Sequence, residues 1–174
     1  MLYVIRHGQV DTNIKNQVNG WNEEKLNSVG IQQAINAGNQ LKNIRINVVF
    51  CSPLLRTKQT YNNLNIKDIP ILYDDRIKER NSNSMVYADV ETLDSNIWYD
   101  RTRDIVYKDS EGFGSIINRT KSILTDIKNS YKNKNVLIVT HGDICKAIYL
   151  YFNPKTKDIS KFHQDNCEIV KYNF

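Results

Sequence analysis

Four short, almost wholly apolar runs constrain this chain more than any other feature. They are Leu2-Tyr3-Val4-Ile5, Val48-Val49-Phe50-Cys51, Ile69-Pro70-Ile71-Leu72-Tyr73 and Val136-Leu137-Ile138-Val139. The first, second and fourth runs suit strands buried on both faces, and the third reads as a strand with Pro at its start. Between them the spacing turns helical. Val29, Ile31, Ala34, Ile35, Ala37, Gly38 and Leu41 predict the apolar side of a helix capped by Ser28. Ser52-Pro53 place a cap and a first-turn proline before a second helix, to about Leu64. Ile116, Ile117, Thr120, Ile123, Leu124, Ile127 and Tyr131 predict an amphipathic helix over 113–131. His141-Gly142 lead into another, ending near Phe152, and Cys167–Tyr172 reads as a last strand. Residues 13–25 and 74–84 read as loops. Within 85–110, Val86–Leu93 and Ile97–Val106 read as two short helices.

Strands alternating with helices predict an α/β fold: a three-layer sandwich whose central sheet is mostly parallel, with helices on both faces. The 174 residues show no internal repeat and no Gly/Ser linker, so one domain over 1–174 is expected. No apolar run approaches the ~18 residues of a membrane span. Cys51, Cys145 and Cys167 lie in apolar or helical stretches and read as reduced, buried thiols. With no leader-like pattern at Met1–Ile5, a cytoplasmic protein is expected. No Cys/His spacing suits a metal, and neither metal nor cofactor is expected.

Parallel sheets bind ligands at the carboxyl ends of their strands. Here the first strand ends in Arg6-His7-Gly8 and the fourth in Thr140-His141-Gly142. The second ends in Cys51-Ser52-Pro53, with Arg56 shortly after. Two arginines offer planar forks that match phosphate oxygens. A neutral histidine is a competent nucleophile, and a second can donate to a phosphoryl oxygen. That constellation suits phosphoryl transfer to a histidine. It also gives the net charge of +5 a narrower meaning. Lys outnumbers Arg 16 to 8 and is spread along the chain without an aromatic-basic stripe, so a small phosphorylated partner is expected rather than nucleic acid.

These residues also carry a resemblance. Leu2-Tyr3-Val4-Ile5-Arg6-His7-Gly8-Gln9 resembles the apolar strand and Arg-His-Gly-Glu signature of the histidine phosphatase superfamily, also called phosphoglycerate-mutase-like. Asn13, Gly20-Trp21, Leu26, Gly30 and Gln33-Ala34 follow its next blocks in order. Ser52-Pro53-Leu54-Leu55-Arg56 with Gln59-Thr60 is similar to its Ser-Pro-Leu-x-Arg-x-x-Gln-Thr motif. Glu111, Val139-Thr140-His141-Gly142 and Asn166-Cys167 resemble the later ones. The likeness spans 1–80 and 111–172 and leaves 81–110 as a short variable cap.

The resemblance implies that His7 becomes phosphohistidine. Arg6, Arg56, His141 and Asn13 would then bind phosphate, and Glu79 would be the proton donor and acceptor. Gly20, Trp21, Glu111 and Asp143 are possible substrate contacts, with Asp143 the alternative acid. The departures are Gln9 for Glu, Val10 for Thr, Lys25 for Pro, and Asn81–Met85 where a Gly and Glu-Gly are usual. The implied activity is hydrolysis of a small phosphomonoester. The alternatives are mutase-type phosphoryl transfer and a non-catalytic phospholigand or protein-binding member of the fold.

Overall fold

The computed structural model describes residues 1–174. In chain order its elements are β1 (Leu2–Arg6), α1 (Asp11–Ile14), α2 (Ser28–Leu41), β2 (Val48–Cys51), α3 (Leu55–Asn63), β3 (Ile71–Tyr73), α4 (Ser95–Trp98), β4 (Ile105–Val106), β5 (Ser110–Glu111), α5 (Phe113–Ser130), β6 (Val136–Thr140), α6 (Gly142–Phe152) and β7 (Ile169–Tyr172). The central sheet has the order β3-β2-β6-β1-β7. All its pairings are parallel except β1 with β7, which is antiparallel. No helix is long and apolar enough to cross a membrane.

The three layers follow from the two-residue period of a strand. Leu2 and Val4 of β1, Val48 and Phe50 of β2, and Val136 and Ile138 of β6 face α5 and α6. Their neighbours Tyr3, Ile5, Val49, Cys51, Leu137 and Val139 face α2 and α3. A run with both parities buried must be apolar throughout, which is why these strands do not alternate. All three cysteines are buried free thiols.

Several local expectations are corrected. Asn27, not Ser28, caps α2, its Oδ1 accepting from the Gly30 N–H at 2.9 Å. On α2, Val29, Ile31 and Ile35 are exposed, and small residues bury the inner face: Gly30, Ala34, Ala37 and Gly38, with Leu41. The sheet is approached closely there, and bulk would not fit; a Cβ on Gly38 would lie 2.1 Å from the Leu64 carbonyl oxygen. Helix α3 starts two residues later than the Ser-Pro signal suggests; the Ser52 hydroxyl meets both His141 Nε2, at 2.7 Å, and the Leu54 N–H, at 3.4 Å. The Leu55 N–H is instead met by Glu23 at 2.9 Å. Residues 11–14 form a single helical turn inside the expected loop.

The largest correction lies in 85–110. In place of two helices there are 3-10 turns at Asn83–Met85 and Val90–Thr92, the one-turn α4, and the β4–β5 hairpin. Asp89, Asp94 and Asp100 explain it. Each side chain accepts the backbone N–H two residues on, at 3.0, 2.9 and 2.9 Å. Such local bonds restart the chain every few residues and compete with helix propagation. The segment is held by its own small cluster of Val18, Trp98 and Val106, and by backbone bonds to residues 16–18.

Candidate active site

The β1–β6 register builds the centre of the site. Arg6 lies opposite Thr140, and the His7 N–H donates to the Thr140 carbonyl at 2.8 Å. One residue past each strand end, His7 and His141 therefore meet, ring centroids 5.2 Å apart and planes at 58°. Both are buried. Burial first, then the Arg56 charge, holds each imidazole well below its ordinary value of 6.5, so both are neutral at pH 7.

The His7 tautomer follows from its partner. Nδ1 lies 2.8 Å from the Gly8 carbonyl, which can only accept. Nδ1 therefore carries the proton and Nε2 carries the lone pair. Asn166 donates to the His7 carbonyl at 2.7 Å, and the Gly8 N–H is taken by Thr60 at 2.9 Å. His141 sits 2.7 Å from the Ser52 hydroxyl through Nε2, and its buried Nδ1 has no protein partner. It also occupies the N-cap of the eleven-residue α6, whose positive end opens at the site.

Arg6 donates to the Gln164 carbonyl at 2.9 Å, while its Nε has no protein partner. Arg56 is fully buried, and its two Nη atoms hold the 19–22 loop. They donate to Asn19 Oδ1 (3.1 Å), the Asn22 carbonyl (2.9 Å) and the Gly20 carbonyl (2.7 Å), leaving Nε without a partner. Desolvation pulls its pKa down to about 10, so it stays charged at neutral pH. Gly20, at φ +59°, is the turn that aims its carbonyl at Arg56.

Glu79 closes the site. A Cβ at Gly142 would lie 3.8 Å from both Glu79 Oε2 and Arg6 Nε, so carboxyl and guanidinium flank one spot. Burial, then the nearby Asp143, raises the Glu79 pKa above 4.5; Arg56 is the largest opposing cause. Asp143 is otherwise occupied, its Oδ2 receiving Arg80 Nε at 2.7 Å. Arg80 is itself buried and stacked 3.9 Å from the centre of Trp98.

These groups open onto a cavity of about 590 Å³ lined by Arg6, His7, Asn13, Gly20, Glu79 and Asp143, among others. Arg56 and His141 are fully buried beside His7 and are not among the cavity's lining residues. Trp21 and Glu111 lie elsewhere, beside a separate groove of about 480 Å³. The Trp21 ring packs under Lys78, and its indole N–H donates to the Glu79 carbonyl at 2.7 Å. Glu111 is bound by Arg119 at 2.7 and 2.9 Å and does not reach the His7 cavity.

The sequence model of the histidine phosphatase superfamily (branch 1) matches residues 2–174. The chain belongs to that superfamily. An uncharacterized phosphatase, PhoE, of Bacillus subtilis is 31% identical over 146 residues, covering 83% of this chain and 73% of the relative. Phosphoserine phosphatase 1 of Hydrogenobacter thermophilus is 25% identical, covering 98% and 83%. The structure of Bacillus stearothermophilus YhfR superposes with a TM-score of 0.83 at 22% identity, covering 99% of this chain and 91% of that one. Phosphoglycerate mutases are among the relatives too, at 27% identity. The expected fold and the expected activity, hydrolysis of a phosphoric monoester, are borne out.

Several residues of this histidine phosphatase escaped the sequence reading. Arg80 beside Glu79, Lys146 on α6 and Gln164 before β7 all line the cavity. Lys146 donates to the carbonyls of Ile159, Ser160 and Phe162. Thr12, Asn19 and Glu24 form a bonded cluster under the Arg56 loop. Adjacency to Glu79 was a usable signal for Arg80. The rest are brought in by tertiary packing that no local pattern marks.

Proposed function

We propose that this enzyme hydrolyses a small phosphorylated metabolite through a phosphohistidine on His7. The observation that carries the reading is the Nδ1 bond to Gly8, which leaves a buried, neutral Nε2 lone pair beside two arginines. Nε2 attacks phosphorus as the P–O ester bond breaks. The departing alkoxide takes the proton of the Glu79 carboxyl. Water then attacks the phosphohistidine and gives a proton to the Glu79 carboxylate, and the P–N bond breaks. The lone pair returns to Nε2, and inorganic phosphate leaves. Arg6, Arg56, His141 and the α6 N-terminus stabilise charge on the equatorial oxygens, with Asn13 at the edge of that pocket.

The raised Glu79 pKa supports it over Asp143 as the acid, since Asp143 is tied to Arg80. Residues 81–110 act as a short cap and set selectivity, within a single domain over 1–174. Up to the start of α5 that cap is built only of turns, one helical turn and a hairpin of two-residue strands, which favours access of water and hence hydrolysis over mutase transfer. No nucleic-acid partner enters this reading. Three buried free thiols support a reducing, cytoplasmic setting.

A panel of phosphomonoesters including phosphoserine, sugar phosphates and 3-phosphoglycerate tests the reading, with p-nitrophenyl phosphate as the generic substrate. Phosphate release that is abolished in His7→Ala is the expected result. Native release by His7→Ala, or isomerisation of 3-phosphoglycerate outrunning release, overturns it.

A further inference from the structure

Glu79 lies in a stretch with neither helix nor strand, between the turn ending at Ile77 and the turn beginning at Asn83. Its aim must be set by something other than a backbone ladder. One guanidinium supplies it. Arg119 Nη1 donates to the carbonyls of Arg76 and Lys78, both at 2.7 Å, and Nη2 donates to that of Glu79 at 3.1 Å. The remaining two donors form the fork to Glu111, at 2.7 and 2.9 Å. All five N–H groups of Arg119 are thus used. Glu111 also accepts the Asn81 N–H at 3.1 Å, so the pair grips the chain on both sides of residue 79. Arg119 itself rides on the eighteen-residue α5, packed on the sheet. The pair is largely shielded, with side-chain exposures of 18% and 14%.

We propose that Arg119 is a positioning residue for proton transfer, holding the Glu79 carboxyl at the leaving oxygen through the carbonyls of residues 76, 78 and 79, with Glu111 orienting it. This rests on the role given to Glu79 above. Lysine cannot substitute, because three donors on a point charge cannot span three carbonyls and a carboxylate.

Leaving-group dependence separates aiming from folding. Alkyl phosphates need a proton on the departing oxygen, and p-nitrophenyl phosphate scarcely does. Arg119→Gln is expected to lose about 30- to 100-fold in kcat/KM on an alkyl phosphate and under about threefold on p-nitrophenyl phosphate. Glu111→Gln should show the same selectivity more weakly, and it decides the matter if Arg119→Gln does not fold. Glu79→Gln is the reference. If Glu79→Gln is selective and the Arg119 or Glu111 variant lowers both substrates equally, or neither, the positioning role is overturned and Glu79 keeps its own. If Glu79→Gln shows no selectivity, the Glu79 reading fails, and the positioning role with it.

Discussion

The two ends of the cavity are built by different means. At the phosphate end, Arg6, His7 and His141 sit at or just past the ends of adjacent parallel strands, and Arg56 lies in the first turn of α3, the helix after β2. Sheet register places them, and buried neighbours hold them. At the leaving-group end, Glu79 hangs on an irregular segment secured by a guanidinium, an indole and a carboxylate. The first end is the recurring apparatus of a strand-end phosphate site. The second is assembled from side chain-to-backbone bonds, which leave its surroundings free to vary. In the function proposed above, phosphoryl transfer belongs to the first end and selectivity between leaving groups to the second.

Substitutions at the two ends should therefore fail differently. His7→Ala should cost at least about 10³-fold in turnover on every substrate, because it removes the nitrogen that takes the phosphoryl group. In kcat/KM, Glu79→Gln should cost about 10²-fold or more on alkyl phosphates and far less on p-nitrophenyl phosphate, while its kcat on p-nitrophenyl phosphate falls because hydrolysis of the phosphohistidine lacks a base. Uniform losses in both variants would erase the distinction between the ends. Arg80→Met should lower stability by about 3 kcal/mol, since it leaves Asp143 buried without its partner. It should also lift the Glu79 pKa further, so the basic limb of the rate profile moves up.

The pH dependence sharpens the same contrast. Turnover needs neutral His7 and protonated Glu79. The depressed histidine and the raised carboxyl keep both forms over a shared window, giving a bell whose acid limb belongs to His7 and whose basic limb belongs to Glu79. For stability the signs oppose. The unfolded chain protonates His7 and His141 as pH falls below about 6.5 while the native state does not, so acid destabilises there. Glu79 holds a proton above 4.5 in the native state only, so its contribution is lost as pH rises through its raised pKa. With two histidines against one carboxyl, melting temperature should fall from pH 7 to pH 5, and His141→Asn should flatten that fall. The smallest effect is expected from Trp21→Phe. Removing the partly exposed indole bond to the Glu79 carbonyl should cost about 1 kcal/mol or less and shift alkyl-phosphate turnover by a small factor.

The same contrast explains what could be read in advance. The strand-end residues were legible because a buried parallel strand writes itself as an apolar run and its end as the first polar residue after it. Arg6-His7 and Thr140-His141 needed no tertiary information beyond adjacency of the two strands. Glu79 was legible only through resemblance, as its own surroundings carry no period. Glu111 was misplaced as a substrate contact because its partner, Arg119, lies eight residues on, across the start of α5. The helices expected over 86–93 and 97–106 failed because three aspartates bond locally to the backbone, a competition that apolar spacing does not register.

The central claim is a covalent phosphoenzyme on His7. Rapid acid-free quenching during turnover of p-nitrophenyl phosphate, followed by mass spectrometry of the peptide containing residues 2–15, tests it directly. An acid-labile phosphate is expected on His7 that accumulates in Glu79→Gln, where its hydrolysis lacks a base, and is absent in His7→Ala. Turnover at the native rate with no phosphate on His7, or a phosphoenzyme that persists in His7→Ala, would contradict it.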